Sequence, residues 1–257
     1  STLNATREIL INHGLTVGAF ISPHLERANE RVTINKQQIS EDDFVYYANE
    51  VVRVVDQELG GKFPSFFEFV TLIMFQYFAK QKVDVALIET GIGGRFDSTN
   101  VLVPEVSVIT TVSLEHTDML GDTFAQVASE KAGIIKEHKP VVVGVRNEEA
   151  RSVICEIAQN KKAPLYMLED TITIHKNAAH QTFTYEALGR RLDDVKVKMA
   201  GGHQLDNAAL AITAALLFDP TISDNVIRHS LRSASWEGRF EHILPNVILD
   251  GAHNSEG

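Results

Sequence analysis

The sequence predicts an α/β fold: a mostly parallel sheet flanked by helices, with a small antiparallel β-sheet appended. Three observations carry this. Apolar, β-branched runs alternate with helical patterns between residues 16 and 168. One of those runs opens directly into a glycine-rich turn. Past residue 170 the helical pattern stops, and three short strand-like runs follow one another between turns.

Taken in order, Ser1 or Thr2 can cap a helix through about residue 13, closed by Gly14, and a strand follows at 16–21. Residues 22–40 hold Pro23 and many polar groups, so a long surface loop is expected, with a short extended piece at 31–34. Helices are expected at 41–59 and 65–80, the second with Phe66, Phe69, Val70, Ile73, Met74 and Tyr77 at helical spacing. A buried strand at 83–88 leads into the glycine-rich turn. Then come a strand at 106–111, a helix at 123–135, a strand at 141–143 and one more helix-to-strand step over 148–168. The runs 171–175, 181–186 and 193–198 form the small antiparallel sheet. Helices at 203–218 and 223–233 come next, and Val247-Ile248-Leu249 could begin a new parallel sheet.

Composition narrows the class. The 257 residues are 44% hydrophobic and 23% charged, an ordinary globular balance. A formal net charge of −10 argues against a broad nucleic-acid footprint. Cys155 is the only cysteine, which excludes an internal disulfide and points to a reducing, cytoplasmic setting. No apolar run reaches the length of a membrane span and no secretory signal opens the chain, so Asn4-Ala5-Thr6 reads as a chance sequon. The chain opens on Ser1 and stops just beyond an apolar run, so a cut at both ends is expected.

Five places could carry chemistry. Glu89 leaves the 83–88 strand into Thr90-Gly91-Ile92-Gly93-Gly94, at the strand end where open α/β sheets bind ligands. Such a carboxylate suits Mg²⁺ beside phosphate oxygens, or simply caps the next turn. The glycines do not spell a dinucleotide fingerprint, because Phe96 stands where the third should be. His116, after the next strand, would meet Glu89 if the two strands lie side by side; otherwise it is a surface hydrogen-bonding group. Lys131 would repel a cation unless modified, and reads otherwise as a solvated helical lysine. Arg239, Asp250 and His253 suit phosphate and ribose, and Asn207 is a poor helix former among alanines and leucines, although an exposed side chain explains it equally well.

Along the chain, Ile21-Ser22-Pro23-His24-Leu25, Asn29-Glu30-Arg31-Val32, Phe66-Phe67-Glu68-Phe69, Glu89-Thr90-Gly91-Ile92-Gly93-Gly94-Arg95-Phe96-Asp97-Ser98-Thr99-Asn100, Glu115-His116, Glu130-Lys131-Ala132-Gly133-Ile134-Ile135-Lys136 and Asp250-Gly251-Ala252-His253-Asn254 occur in one order. That combination resembles the Mur ligase superfamily, most closely its folylpolyglutamate synthase and dihydrofolate synthase branch. The resemblance implies residues 1–241 as a central ATP-binding domain of P-loop type, its small sheet at about 171–198. Residues 242–257 would begin a C-terminal ligase domain. The family's phosphate loop, Gly-Thr-Asn-Gly-Lys-Gly-Ser, would end at Ser1.

The implied activity is an ATP-dependent ligase that adds L-glutamate to a folate or dihydropteroate carboxylate through an acyl phosphate. The resemblance assigns catalysis to Lys131, His116 and Glu89. It assigns Mg²⁺ to Ser22 and Glu89, and a second ion to Glu89, His116 and a carbamylated Lys131. ATP would be bound by Ser1, Asn207, Arg239, Asp250 and His253. The folate side would be bound by Ser22, Pro23, His24, Arg31, Phe66, Phe69 and Asp97. A monomer without nucleic-acid or membrane partners is expected. Two alternatives stand beside it. One is another Mur-type amino-acid ligase, against which the Ser22-Pro23-His24 and Phe66-Phe67-Glu68-Phe69 pieces argue. The other is a non-catalytic folate-binding domain, whose warrant is the missing phosphate loop.

Overall fold

The structure is a computed structural model that describes residues 1–235, 241–244 and 247–249. The chain divides into two compact units, Gly14–Leu102 and a second made of Ser1–His13 with the chain from Val103 onward.

Helix α1 (Thr2–Asn12) belongs to the second unit and stops at His13, before Gly14 turns into the left-handed region. Its Ala5, Ile9 and Leu10 are buried as the pattern requires, but so are Thr2, Asn4, Thr6, Arg7 and Glu8. Those polar groups find partners inside: Arg7 Nη2 donates to Asn4 Oδ1 at 2.8 Å, and Asn4 Nδ2 donates to the Ser235 carbonyl at 2.8 Å.

In the unit Gly14–Leu102, strand β1 (Val17–Phe20) is buried along its length. A 3-10 turn at Ala28–Arg31 precedes β2 (Val32–Ile34) and β3 (Gln37–Gln38). The segment expected as a loop thus adds a hairpin to the sheet. Helix α2 (Glu41–Glu58) starts at Ser40, whose side chain accepts the Asp43 N–H, and carries Glu41, Asp42 and Asp43 at its positive dipole end. Helix α3 (Phe66–Gln81) opens on a capping box between Ser65 and Glu68. Strand β4 (Val85–Ile88) follows; expected as buried, it is half-buried with Ala86 exposed, as the last strand of its sheet. The sheet order is β3-β2-β1-β4, with β1 parallel to β4 and Phe20 opposite Ile88. Its core is built from Phe20, Val32, Val51, Val70, Ile73, Met74 and Phe78. A Cβ on Gly18 would stand 3.0 Å from the Phe78 ring, which is why β1 carries glycine there.

In the second unit, β5 (Ser107–Ile109) is followed by α4 (Thr117–Leu120) and α5 (Phe124–Lys131). The helix expected at 123–135 ends at Lys131 and tightens into a 3-10 turn, Ala132–Ile134, around Gly133. Strand β6 (Val141–Val143), α6 (Glu148–Asn160) and β7 (Leu165–Met167) complete a parallel sheet ordered β5-β6-β7. Strands β8 (Thr173–Asn177), β9 (Thr182–Ala187) and β10 (Arg190–Lys196) form the appended antiparallel sheet, inside the expected bounds. Helix α7 (Gly202–Phe218) is buried on nearly every face, packed against α1 and the small sheet, and α8 (Asp224–Ser233) lies on α1 and β10. Strand β11 (Glu241–Leu244) pairs antiparallel with β12 (Val247–Leu249). The new parallel sheet expected at Val247-Ile248-Leu249 is therefore corrected: that run pairs antiparallel with the strand just before it in the chain.

Candidate active site

Because Phe20 and Ile88 are paired, β1 and β4 release their chains at the same sheet edge. The Glu89 N–H donates to the Phe20 carbonyl at 2.9 Å, and the Ser22 N–H donates to Glu89 Oε2 at 2.8 Å. An exposed carboxylate and a serine are thereby joined at the carboxyl ends of two parallel strands. Both present oxygen donors of the hard kind that Mg²⁺ takes from a protein.

The glycine-rich turn beyond Glu89 is held by Asp97. Its Oδ2 accepts the N–H groups of Gly91 at 2.7 Å and Ile92 at 3.3 Å, and its Oδ1 accepts Thr99 N at 2.9 Å and Thr99 Oγ1 at 2.5 Å. A Cβ on Gly91 would stand 2.9 Å from the Phe67 ring, so glycine is required where that ring approaches. Asp97 was expected at the substrate; its carboxylate is engaged with its own loop.

Three other expected residues meet in this unit. Arg31 donates its Nε to His24 Nδ1 at 2.8 Å and lies over the Phe66 ring with Cζ 5.2 Å from the centroid. The His24 and Phe66 rings meet edge-on at 6.2 Å. Burial holds the Arg31 guanidinium below its usual range, while Phe66 stays 54% exposed. Pro23 is exposed and Phe69 packs against the core. Glu30 was not singled out from the sequence. Its carboxylate accepts N–H groups from Leu25, Glu26 and Arg27 at 2.6, 2.9 and 2.7 Å, closing the loop that carries His24. Desolvation pushes this carboxyl up, but the three donors and nearby His24 outweigh it and hold it below the usual range.

In the second unit, α1 and α7 bring their first turns together. Thr2 Oγ1 donates to Asn207 Oδ1 at 3.0 Å, Gln204 Nε2 to Ser1 Oγ at 3.2 Å, and Asn207 Nδ2 to Gln204 Oε1 at 3.2 Å. Gln204 Nε2 also lies 3.1 Å from His203 Nε2. Two helix N-termini side by side present backbone N–H groups and two positive dipole ends, which suits an anion such as phosphate. Asn207 was expected here; Gln204 was not, although it sits one turn before Asn207.

His116 precedes α4 in the left-handed region, φ 50°, and is exposed. Lys131 ends α5; burial pushes its amine below the usual lysine range, against the opposing charge of Glu115. Glu115 accepts the Ser113 hydroxyl at 2.7 Å. Strand β4 closes one sheet and β5 opens another, so the side-by-side pairing that would join Glu89 to His116 is not among the described ladders. Among the described residues no three His, Cys, Asp or Glu side chains gather as a metal cluster. No helix there is long and apolar enough to cross a membrane. Arg239, Asp250 and His253 lie outside the described residues.

Residues 66–215 match the Mur ligase middle domain. Over its whole length the chain is 40% identical to a dihydrofolate synthase/folylpolyglutamate synthase of Bacillus subtilis, covering 63% of that protein. It is similar to a solved FPGS–AMPPCP–folate complex, with a TM-score of 0.92 and 34% identity over 99% of this chain and 65% of that one. It is also similar to E. coli FolC in complex with DHPP and ADP, with a TM-score of 0.90 and 31% identity over 98% of this chain and 59% of that one.

Proposed function

The chain belongs to the Mur ligase middle-domain family, and from that membership we propose that it forms the ATP-binding part of a ligase joining L-glutamate to a folate or dihydropteroate carboxylate. The observation that carries this reading is the polar head of α1 and α7, where Ser1, Thr2, Gln204 and Asn207 meet at two helix N-termini. It suits nucleotide phosphates, and a relative 34% identical to this chain holds AMPPCP together with folate.

The γ-phosphoryl group passes from ATP to the substrate carboxylate, releasing ADP. The glutamate amine then attacks the acyl carbon, phosphate leaves, and the new amide nitrogen gives up a proton. Catalysis of this kind is mostly positioning and neutralisation of phosphate oxygens. Ser1 and Asn207 hold the nucleotide, joined by Arg239, Asp250 and His253. Ser22 and Glu89 hold Mg²⁺, which when bound neutralises phosphate charge. Glu89, His116 and Lys131 hold a second ion as the catalytic set. For Lys131 this requires a carbamate. Its burial favours the neutral amine, the form that adds CO₂ with loss of a proton, and the product replaces a repelling cation by an anionic oxygen donor.

Arg31, His24 and Phe66 take the planar heteroaromatic acid, where a guanidinium and two rings match its charge and face, with Ser22, Pro23, Phe69 and Asp97 of the same unit. Residues 1–241 act as the central ATP-binding domain, and 242–257 begin the C-terminal one. The protein works as a cytoplasmic monomer without nucleic-acid or membrane partners. The test is ADP release by the whole protein with Mg²⁺, ATP and glutamate. Release that needs glutamate and either dihydropteroate or tetrahydrofolate is expected; release that needs a uridine-nucleotide substrate instead overturns the reading.

A further inference from the structure

The small antiparallel sheet plays no part in the chemistry above, yet two of its polar side chains reach the first turn of α7. Lys176, on β8, donates its Nζ to Asp206 Oδ2 at 2.7 Å. Asp206 is 8% exposed and is also gripped by both terminal nitrogens of Arg146, at 3.0 and 3.1 Å. Gln181, where the chain enters β9, donates its Nε2 to the carbonyls of Met199 at 2.7 Å and Gly201 at 2.9 Å. The Gly201 carbonyl in turn accepts the Gln204 N–H at 3.0 Å. Gly201 has φ 110°, a conformation that suits glycine, and the His203 ring lies 2.7 Å from where its Cβ would stand. The turn held in this way carries Gln204 and Asn207, which meet Ser1 and Thr2.

We propose that the small sheet positions the nucleotide end of the site, with Lys176 and Gln181 holding the first turn of α7 so that Gln204 and Asn207 face α1. This rests on reading that end as the ATP site. Neither residue touches nucleotide in the proposal; each acts through α7. Removing Lys176 leaves Asp206 its two bonds to Arg146, so the fold is retained while the turn loosens.

The test is calorimetric titration of the whole protein with Mg-AMPPCP, with thermal midpoints and steady-state kinetics in parallel. Gln181→Ala and Lys176→Met are each expected to weaken binding by about tenfold, the factor that loss of about 1.4 kcal/mol gives. Lys176→Arg restores most of the affinity. Thr184→Ala, which loses only an exposed contact to Asp193 on the same sheet, leaves it unchanged. In turnover, KM for ATP rises while KM for the pteroate substrate stays within about twofold, the scale of a surface change. Wild-type affinity in both Gln181→Ala and Lys176→Met overturns the proposal, as does an affinity loss that Thr184→Ala shares in step with a lower thermal midpoint. A protein that binds Mg-AMPPCP but releases no ADP with glutamate and a folate sinks the ligase reading and leaves this proposal standing. Failure of the unaltered protein to bind the nucleotide overturns both.

Discussion

Tyr185 on β9 is 0% exposed, and its hydroxyl lies 2.9 Å from Thr213 Oγ1 in the middle of α7. Burial pushes the phenol up to about 12 from an ordinary 10.0, with the Thr213 bond and the Arg190 charge pulling the other way. Between those two values the unfolded chain has lost this proton and the folded one keeps it, so stability falls as pH rises. The contribution is complete below pH 10. Each pH unit above it removes about 1.4 kcal/mol, and close to twice that is gone once the folded group titrates. Tyr185→Phe isolates the effect. At pH 7 the variant loses one hydrogen bond, about 1 kcal/mol, and strands no partner, because Thr213 Oγ1 still donates to the Ala209 carbonyl at 2.9 Å. At pH 11 only the tyrosine protein has suffered the ionisation loss, which is of the same order as the hydrogen bond, so its advantage over the phenylalanine variant is cancelled. Urea unfolding of both proteins, followed by circular dichroism at pH 7 and pH 11, reads the difference; ionisations common to both cancel. A stability gap that stays constant between the two pH values, or widens in favour of tyrosine, refutes the buried-phenol argument.

Gly144→Ala places a Cβ 2.7 Å from both Leu210 Cδ1 and the Thr110 carbonyl oxygen; the leucine can swing away but the backbone cannot, so a loss of about 1–3 kcal/mol is expected in thermal unfolding. An unchanged midpoint would show that β6 is not packed tightly on α7. Lys131→Ala in the whole protein should lose most of the glutamate-dependent ADP release, and added short carboxylic acids should restore part of it. Full activity without them removes the carbamate from the mechanism. Arg31→Lys keeps the charge but loses the Nε bond to His24 and the planar face over Phe66, so KM for the pteroate substrate should rise about tenfold with KM for ATP unchanged, read from steady-state kinetics. Equal KM values for that substrate would take Arg31 out of the binding site.

Local pattern and tertiary partnership divide this molecule in a way its residues make plain. Hydrophobic spacing placed α3 and α7 to within a residue or two, and a run of three valines placed β6, because burial of one face or of a whole short strand is written into consecutive side chains. The cap residues Ser40, Ser65 and Ser223 mark helix starts by the same local logic. Part of the candidate site was legible too: Glu89 at the end of an apolar strand, and Asn207 as a misfit among alanines and leucines.

Contacts between distant segments were not. That Arg31 reaches both His24 and Phe66, that Asp97 turns back on Gly91, and that Ser22 finds Glu89 all depend on sheet register and loop closure across up to 67 positions. The polar face of α1 gives no sign of burial in its own sequence; it is buried because α7 and α8 close over it, with Asn207 of α7 accepting from Thr2 and the Ser235 carbonyl, just past α8, accepting from Asn4. Sequence by itself determined the order and kind of the longer elements and the chemical types at their ends, since propensity, capping and periodicity act between near neighbours; the β2–β3 hairpin and α4 were not legible in it. Only the tertiary structure decided which strands pair and which polar side chains meet, since those choices are made by packing and hydrogen-bond satisfaction among groups far apart in the chain.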